Sequence, residues 1–147
     1  MSPPPPAPDA KDRITCHVLD TSLGLPARNM RVKLELSTPT TSSASRIFES
    51  QTDDDGRIKV WLPYSSETSS GEVPVYTLDD VLDGVEVSDA DAATSRWTLR
   101  FDTEGYFGGA DKTFFPEVTV VFGVARGERY HVPVLLAPFS YTTYRGS

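Results

Sequence analysis

Three side chains carry most of the chemistry that this sequence offers: His17, His131 and Arg57. An imidazole, with an unperturbed pKa of about 6.5, can accept or donate a proton at neutral pH. Arg57 follows an Asp-Gly turn, and its guanidinium offers a planar set of donors but cannot act as a base. Taken singly, each histidine is typical of a surface or hydrogen-bonding residue, and Arg57 of a solvent-exposed one. They indicate a site only if their faces converge, for example against another subunit.

Two short motifs suggest a catalytic thiol and a calcium site, but strand geometry excludes the first and residue spacing the second. Cys16 next to His17 resembles a thiol–imidazole pair, but neighbouring residues of a strand point to opposite faces, so Cys16 is expected in the core. The run Asp53–Gly56 resembles a calcium loop, yet glycine at position six and glutamate at position twelve are replaced by Ile58 and Tyr64. No glycine-rich phosphate loop, nucleophile elbow or metal-ligand cluster is found.

The elements that must position these residues are strands, because apolar and polar residues alternate along much of the chain. By parity, both histidines and Arg57 lie opposite the apolar faces of their strands. The apolar positions are Ile14, Cys16 and Val18; Met30, Val32, Leu34 and Leu36; Ile58, Val60 and Leu62; Trp97, Leu99 and Phe101; Val118, Val120 and Phe122; and Tyr130, Val132, Val134 and Leu136. We expect an all-β protein, with seven or eight antiparallel strands in a two-sheet sandwich and at most one short helix, near 103–110.

Composition narrows the class of protein. The 147 residues are 38% hydrophobic and 24% charged, as in one globular domain. A single cysteine excludes an intrachain disulfide, and no apolar run approaches the ~20 residues of a membrane span. The net charge of −7 argues against a nucleic-acid partner. The sequence predicts a soluble, intracellular protein with no membrane association.

The acidity belongs to one segment. Residues 66–95 hold eight acidic residues and no lysine or arginine. The rest of the chain holds 13 acidic and 14 basic residues, so its charge is nearly balanced. We expect an acidic insertion at about 66–95 within a domain of residues 12–147, preceded by a disordered proline-rich tail at 1–11. The insertion could instead bind a basic partner, and the tail a proline-recognising one.

Three stretches resemble the transthyretin-like 5-hydroxyisourate hydrolases: Cys16–Ala27, Asp55-Gly56-Arg57, and Tyr130–Ser147 with its terminal Tyr144-Arg145-Gly146-Ser147. The resemblance covers roughly residues 12–62 and 96–147. It implies the transthyretin fold and a homotetramer, a dimer of dimers around a central channel. The implied reaction is hydrolysis of 5-hydroxyisourate to 2-oxo-4-hydroxy-4-carboxy-5-ureidoimidazoline in urate degradation, without cofactor or metal.

The same resemblance implies the site residues. His17, Arg57, His131 and Ser147 would be catalytic, and Arg57, Tyr144, Arg145, Gly146 and Ser147 would bind substrate. The histidines share the proton transfers of a water attack on the cyclic amide, and the sequence leaves open which one activates water. Ser147 could orient water or substrate through its hydroxyl or its terminal carboxylate, and Gly146 is expected to allow a tight turn beside it.

The resemblance leaves a second function and two compartments open. The alternative function is a transthyretin-like carrier of small ligands, which the intact His17, Arg57, His131 and Ser147 disfavour. The cytosol is the expected compartment, with the peroxisome as alternative.

Overall fold

The computed structural model describes residues 11–36, 47–63, 78, 81–82, 94–125 and 127–146. The expectations for the proline-rich tail up to residue 10, for most of the acidic segment 66–95 and for Ser147 lie outside these residues. No helix among the described residues is long and apolar enough to cross a membrane.

Two sheets face each other in this part of the chain. The first has the order β10-β9-β1-β2, and β5 also pairs with β1; the second has the order β6-β4-β3-β7-β8. A short helix, α1, follows β7. The elements are β1 (Ile14–Asp20), β2 (Leu25–Pro26), β3 (Arg31–Leu36), β4 (Ile47–Gln51), β5 (Arg57–Ile58), β6 (Leu62–Pro63), β7 (Thr94–Phe101), α1 (Thr103–Phe107), β8 (Val118–Ala125), β9 (Tyr130–Ala137) and β10 (Ser140–Thr143).

The core lies between the sheets and confirms the alternation in most strands. Each large apolar side chain buried there contributes about 1.5–3 kcal/mol. The first sheet buries Ile14, Cys16, Val18, Val132, Val134 and Leu136, and the second buries Val32, Leu34, Trp97, Leu99 and Phe101. The two-sheet β-sandwich and the short helix are therefore confirmed. Leu78, Val81 and Leu82, from the acidic segment, are also buried, so that segment contributes to the core.

One strand pairing departs from the expected all-antiparallel arrangement. β1 and β9 run parallel, with Ile14 opposite Tyr130 and Asp20 opposite Leu136. Hairpins impose antiparallel pairing on strands that follow each other closely, but the second sheet lies between β1 and β9 along the chain. No short turn therefore fixes their relative direction.

The prediction that Ile58, Val60 and Leu62 share a buried face holds only for Ile58. β5 ends at Ile58, Val60 and Leu62 are 51% and 64% exposed, and Trp61 is 3% exposed. The Trp61 indole Nε1 donates to the Ile14 carbonyl at 2.8 Å, and its backbone N–H donates to an Asp12 carboxylate oxygen at 2.7 Å. Irregular backbone after Ile58 shifts the alternation by one residue, which exchanges the two faces.

Candidate active site

His17 and Arg57 are neighbours because β5 pairs with β1 in a register that sets them opposite each other. The turn before β5 is built by Asp53, whose Oδ1 accepts the backbone N–H groups of Asp55 and Arg57, each at 2.9 Å. Gly56 has φ +74°, and a Cβ there would overlap the Val18 carbonyl oxygen. The acidic run therefore forms a turn that presents Arg57 beside His17.

The tautomer of neutral His17 follows from one hydrogen bond. Nε2 lies 2.9 Å from the Asp55 carbonyl oxygen. A carbonyl oxygen only accepts, so Nε2 carries the proton and Nδ1 holds the lone pair. Burial, and then the Arg57 charge, lower the pKa of His17. The imidazole is therefore neutral at neutral pH and can accept a proton.

His131 reaches the same region through the parallel pairing of β9 with β1, which sets it opposite Thr15. The Thr15 hydroxyl lies 2.8 Å from His131 Nδ1 and holds the ring in place. The two imidazole centroids are 6.4 Å apart. Burial, and then the charges of Arg57, His17 and Lys11, lower the pKa of His131. Two neutral imidazoles and a guanidinium therefore converge, as the outward parity of their strands requires.

The carboxyl-terminal segment returns to His131. Gly146 N–H donates to the His131 carbonyl at 2.8 Å, and the two residues form an antiparallel bridge. A Cβ on residue 146 would lie 2.7 Å from His131 Cδ2 and 2.9 Å from Pro133 Cγ. Gly146 has no positive φ, and Ser147, which the expected tight turn would include, lies outside the described residues. Glycine is needed there because its backbone packs directly against the imidazole.

Arg145 is held by contacts with Tyr130 and Glu128. Its guanidinium carbon lies 4.7 Å from the centroid of the Tyr130 ring, and its Nη2 lies 3.6 Å from Glu128 Oε2. The Tyr130 hydroxyl donates to the same carboxylate at 2.9 Å and accepts the Ala125 N–H at 2.8 Å. Tyr130 and Glu128 thus restrict the position of an otherwise exposed arginine.

An open cleft of about 660 Å³ brings most of these groups together. Arg57, His131, Arg145 and Gly146 line it, with Thr15 and Tyr130. His17 is not part of its lining, and Tyr144 lines an adjoining cavity of about 320 Å³ that shares His131 and Arg145. Among the described residues, no cluster of three histidine, cysteine or acidic side chains could hold a metal ion.

Comparison with known proteins identifies the family. A model of the HIUase/Transthyretin family matches residues 14–146. The chain belongs to this family. The probable 5-hydroxyisourate hydrolase of Schizosaccharomyces pombe is 34% identical over 149 residues, which span the whole of both chains. The 5-hydroxyisourate hydrolase of Mus musculus is 33% identical over 91% of this chain and 94% of its own.

A solved structure of the HIUase/transthyretin family shows the shared fold. The transthyretin of Sparus aurata matches with a TM-score of 0.62 at 23% identity, covering 91% of this chain and 96% of its own. This structure and the present chain share the two-sheet sandwich fold.

Sequence reasoning missed several residues of the cleft in this family member. Thr15 could have been found, because it lies two positions before His17 and so on the same face of β1. Tyr130 was assigned to the apolar face of β9, but its hydroxyl belongs to the Arg145 network. Lys11 and Arg129 also line the cleft. No local pattern links them to it, since the long-range pairing of β1 with β9 brings the two segments together.

Proposed function

We propose that this chain hydrolyses 5-hydroxyisourate to 2-oxo-4-hydroxy-4-carboxy-5-ureidoimidazoline, by attack of water on the cyclic amide. The observation that carries the proposal is the convergence of Arg57 with two imidazoles whose pKa values are lowered. The relatives named as 5-hydroxyisourate hydrolases supply the substrate. The carrier function of transthyretin requires neither a base nor a guanidinium, so these groups favour the hydrolase.

We assign water activation to His131. A small cavity of about 30 Å³, lined in part by Thr15, Arg57 and His131, adjoins the ring. A polar cavity of this size can hold one water molecule. His17 Nε2 is already engaged by the Asp55 carbonyl, which leaves His17 Nδ1 to accept a ring N–H of the substrate.

Hydrolysis proceeds by attack of water on the amide carbonyl and then by cleavage of the C–N bond. Water oxygen bonds to the amide carbonyl carbon while His131 takes one of its protons. Arg57 stabilises the resulting oxyanion, a contribution of about 10²–10³-fold for one well-placed donor. The C–N bond then breaks, and the imidazolium returns its proton to the departing nitrogen. Neutral imidazoles suit this cycle, because the resting base must be unprotonated.

The carboxyl-terminal Tyr144-Arg145-Gly146-Ser147 is assigned to substrate binding, with Ser147 also orienting the attacking water. Arg145 and Gly146 line the cleft directly, and Tyr144 lines the cavity next to it. The backbone bridge from Gly146 to His131 supports the assignment, because it ties this segment to the base.

We propose a homotetramer as the active assembly. Phe114, Phe139 and Tyr141 are exposed on the loop before β8 and the β9–β10 hairpin. Two edge-to-face ring contacts, of Phe115 with Phe114 and with Tyr141, connect these segments. Exposed apolar groups that lie together are typical of protein interfaces. Sedimentation should give four times the chain mass of 16.1 kDa, and a fully active monomer would contradict the assembly.

We place the enzyme in the cytosol, with the peroxisome as alternative. An amino-terminal fluorescent fusion leaves Tyr144-Arg145-Gly146-Ser147 of the proposed site unmodified. Cytosolic fluorescence supports this placement, and co-localisation with a peroxisomal marker overturns it.

The test generates 5-hydroxyisourate with urate oxidase and follows its ultraviolet decay with and without this protein. We expect acceleration proportional to enzyme concentration, and a product whose mass has gained one water. The Arg57→Gln protein, added at the same concentration, controls for non-specific effects. Decay at the spontaneous rate with folded protein present would exclude this function.

A further inference from the structure

The cleft beside His131 concentrates positive charge in a chain that is acidic overall. Five cationic side chains line it: Lys11, Arg13, Arg57, Arg129 and Arg145. The lining includes one carboxylate, Asp12, and that carboxylate accepts the Trp61 backbone N–H at 2.7 Å. The whole chain has a net charge of −7. A cleft lined mainly by one sign of charge raises the local concentration of counter-ions. This cleft therefore favours anionic ligands.

Two of these cations, Lys11 and Arg129, have no place in the reaction described above. They lie 118 positions apart in sequence, yet Arg129 Nη1 donates to the Lys11 carbonyl oxygen at 3.3 Å. Lys11 also lines the small cavity that Arg57 and His131 share. The Lys11 charge contributes to lowering the pKa of His131, so it acts on the imidazole through space. Both side chains are exposed and can reach a ligand entering from solvent.

Both the substrate and the product of the proposed reaction carry negative charge. A weakly acidic, carbonyl-rich heterocycle carries negative charge in part at neutral pH. Hydrolysis of its amide then releases a carboxyl group, which ionises and passes its proton to solvent, so the charge becomes more negative by one. Exposed cations at the cleft entrance would attract the first anion and retain the second.

We propose that Lys11 and Arg129 form an anion subsite at the rim of the cleft, which captures the anionic substrate and contacts the carboxylate of the product. The proposal rests on the proposed hydrolase function. It differs from the role of Arg57, because the subsite acts on encounter and binding.

The kinetic test uses the double variant Lys11→Gln/Arg129→Gln. We expect kcat/KM at low salt to fall about tenfold, the lower range of electrostatic steering. The single variant Arg129→Gln leaves the small cavity beside His131 intact and should keep kcat within about twofold. At high salt the wild type should approach the variant, since screening removes the attraction. The control Arg28→Gln/Lys112→Gln removes two exposed cations outside the cleft and should match the wild type. A double variant with wild-type kcat/KM and salt dependence would overturn the subsite.

A binding test separates this proposal from the hydrolase function. Calorimetry with urate, an anionic purine, should show Kd about fivefold higher in the double variant, the scale of one exposed ion pair. Hypoxanthine, a neutral purine, should bind both proteins equally. Equal urate affinities overturn the subsite whether or not the enzyme is active. A wild type that binds urate with the expected difference but leaves 5-hydroxyisourate untouched would overturn the proposed function and retain the subsite.

Discussion

Replacing Gly146 with alanine should remove most of the activity and leave the sandwich folded. The added Cβ would lie 2.7 Å from His131 Cδ2 and 2.9 Å from Pro133 Cγ, well inside ordinary contact at about 3.5 Å. Pro133 is fixed within β9, so the segment that carries residue 146 must move away from β9, or move together with the imidazole, by about 0.8 Å to restore normal contact. Either movement displaces a group that lines the cleft. A displacement of about 1 Å at a catalytic group costs about 10²-fold. We therefore expect kcat to fall by about 50- to 100-fold.

The assay is the initial rate of 5-hydroxyisourate decay over a range of substrate concentrations, with circular dichroism to confirm folding at the assay temperature. Overpacking costs about 1–3 kcal/mol, and we expect the lower end because the added Cβ meets only the side chains of His131 and Pro133. The control is Gly123→Ala on β8, where a Cβ meets no atom within 4 Å. A folded Gly146→Ala protein with half the wild-type kcat or more would refute this account of the contact.

Four further predictions concern charge, protonation and the chain end. Arg57→Lys keeps the charge but loses the planar set of donors, so kcat/KM should fall about 10²-fold; rates within threefold of wild type would contradict this. Burial and the Arg57 charge lower the pKa of both His17 and His131. We therefore expect kcat/KM to rise with pH through an inflection below about 6.5 and to stay level through neutrality. An inflection above pH 7 would contradict this protonation state. The same shift means that the unfolded chain binds more protons, so the free energy of unfolding should fall as pH drops below about 6.5, as urea titrations can measure. Extending the chain beyond Ser147 should abolish most activity with little change in melting temperature, whereas the same extension before Met1 should do no harm; full activity of the carboxyl-terminal fusion would exclude the tetrapeptide from the site.

Local pattern was enough to predict the strands that hold the site, but not how they pair. The alternation of Ile14, Cys16 and Val18 places His17 on the outer face, and the structure confirms their burial. The parallel pairing of β1 with β9 depends on contacts more than a hundred residues apart, which a period of two residues does not encode. The alternation after Ile58 failed because Trp61 finds its indole acceptor, the Ile14 carbonyl, only in the folded protein.

Some features of the candidate site could likewise be predicted from the sequence, whereas others depend on the fold. Strand parity was enough to place His17, Arg57 and His131 on outer faces, but only the family resemblance made them site residues. Their convergence depends on the pairing of β1 with β5 and β9. The requirement for glycine at 146 is a matter of contact with the His131 ring, so its spatial reason was missed although the residue was predicted. Lys11 and Arg129 are ordinary surface cations in sequence, and only the fold sets them beside the cleft.

The most direct test of the central claim compares wild-type and His131→Ala proteins on freshly generated 5-hydroxyisourate at pH 7.5, each at several enzyme concentrations. The structure predicts that wild-type protein accelerates the ultraviolet decay in proportion to its concentration. The His131→Ala protein, equally folded, should stay within a few per cent of the wild-type increment above the spontaneous rate, since a general base contributes about 10²–10⁴-fold. Equal acceleration by the two proteins would contradict the assignment of His131, and no acceleration by the wild type would contradict the hydrolase itself.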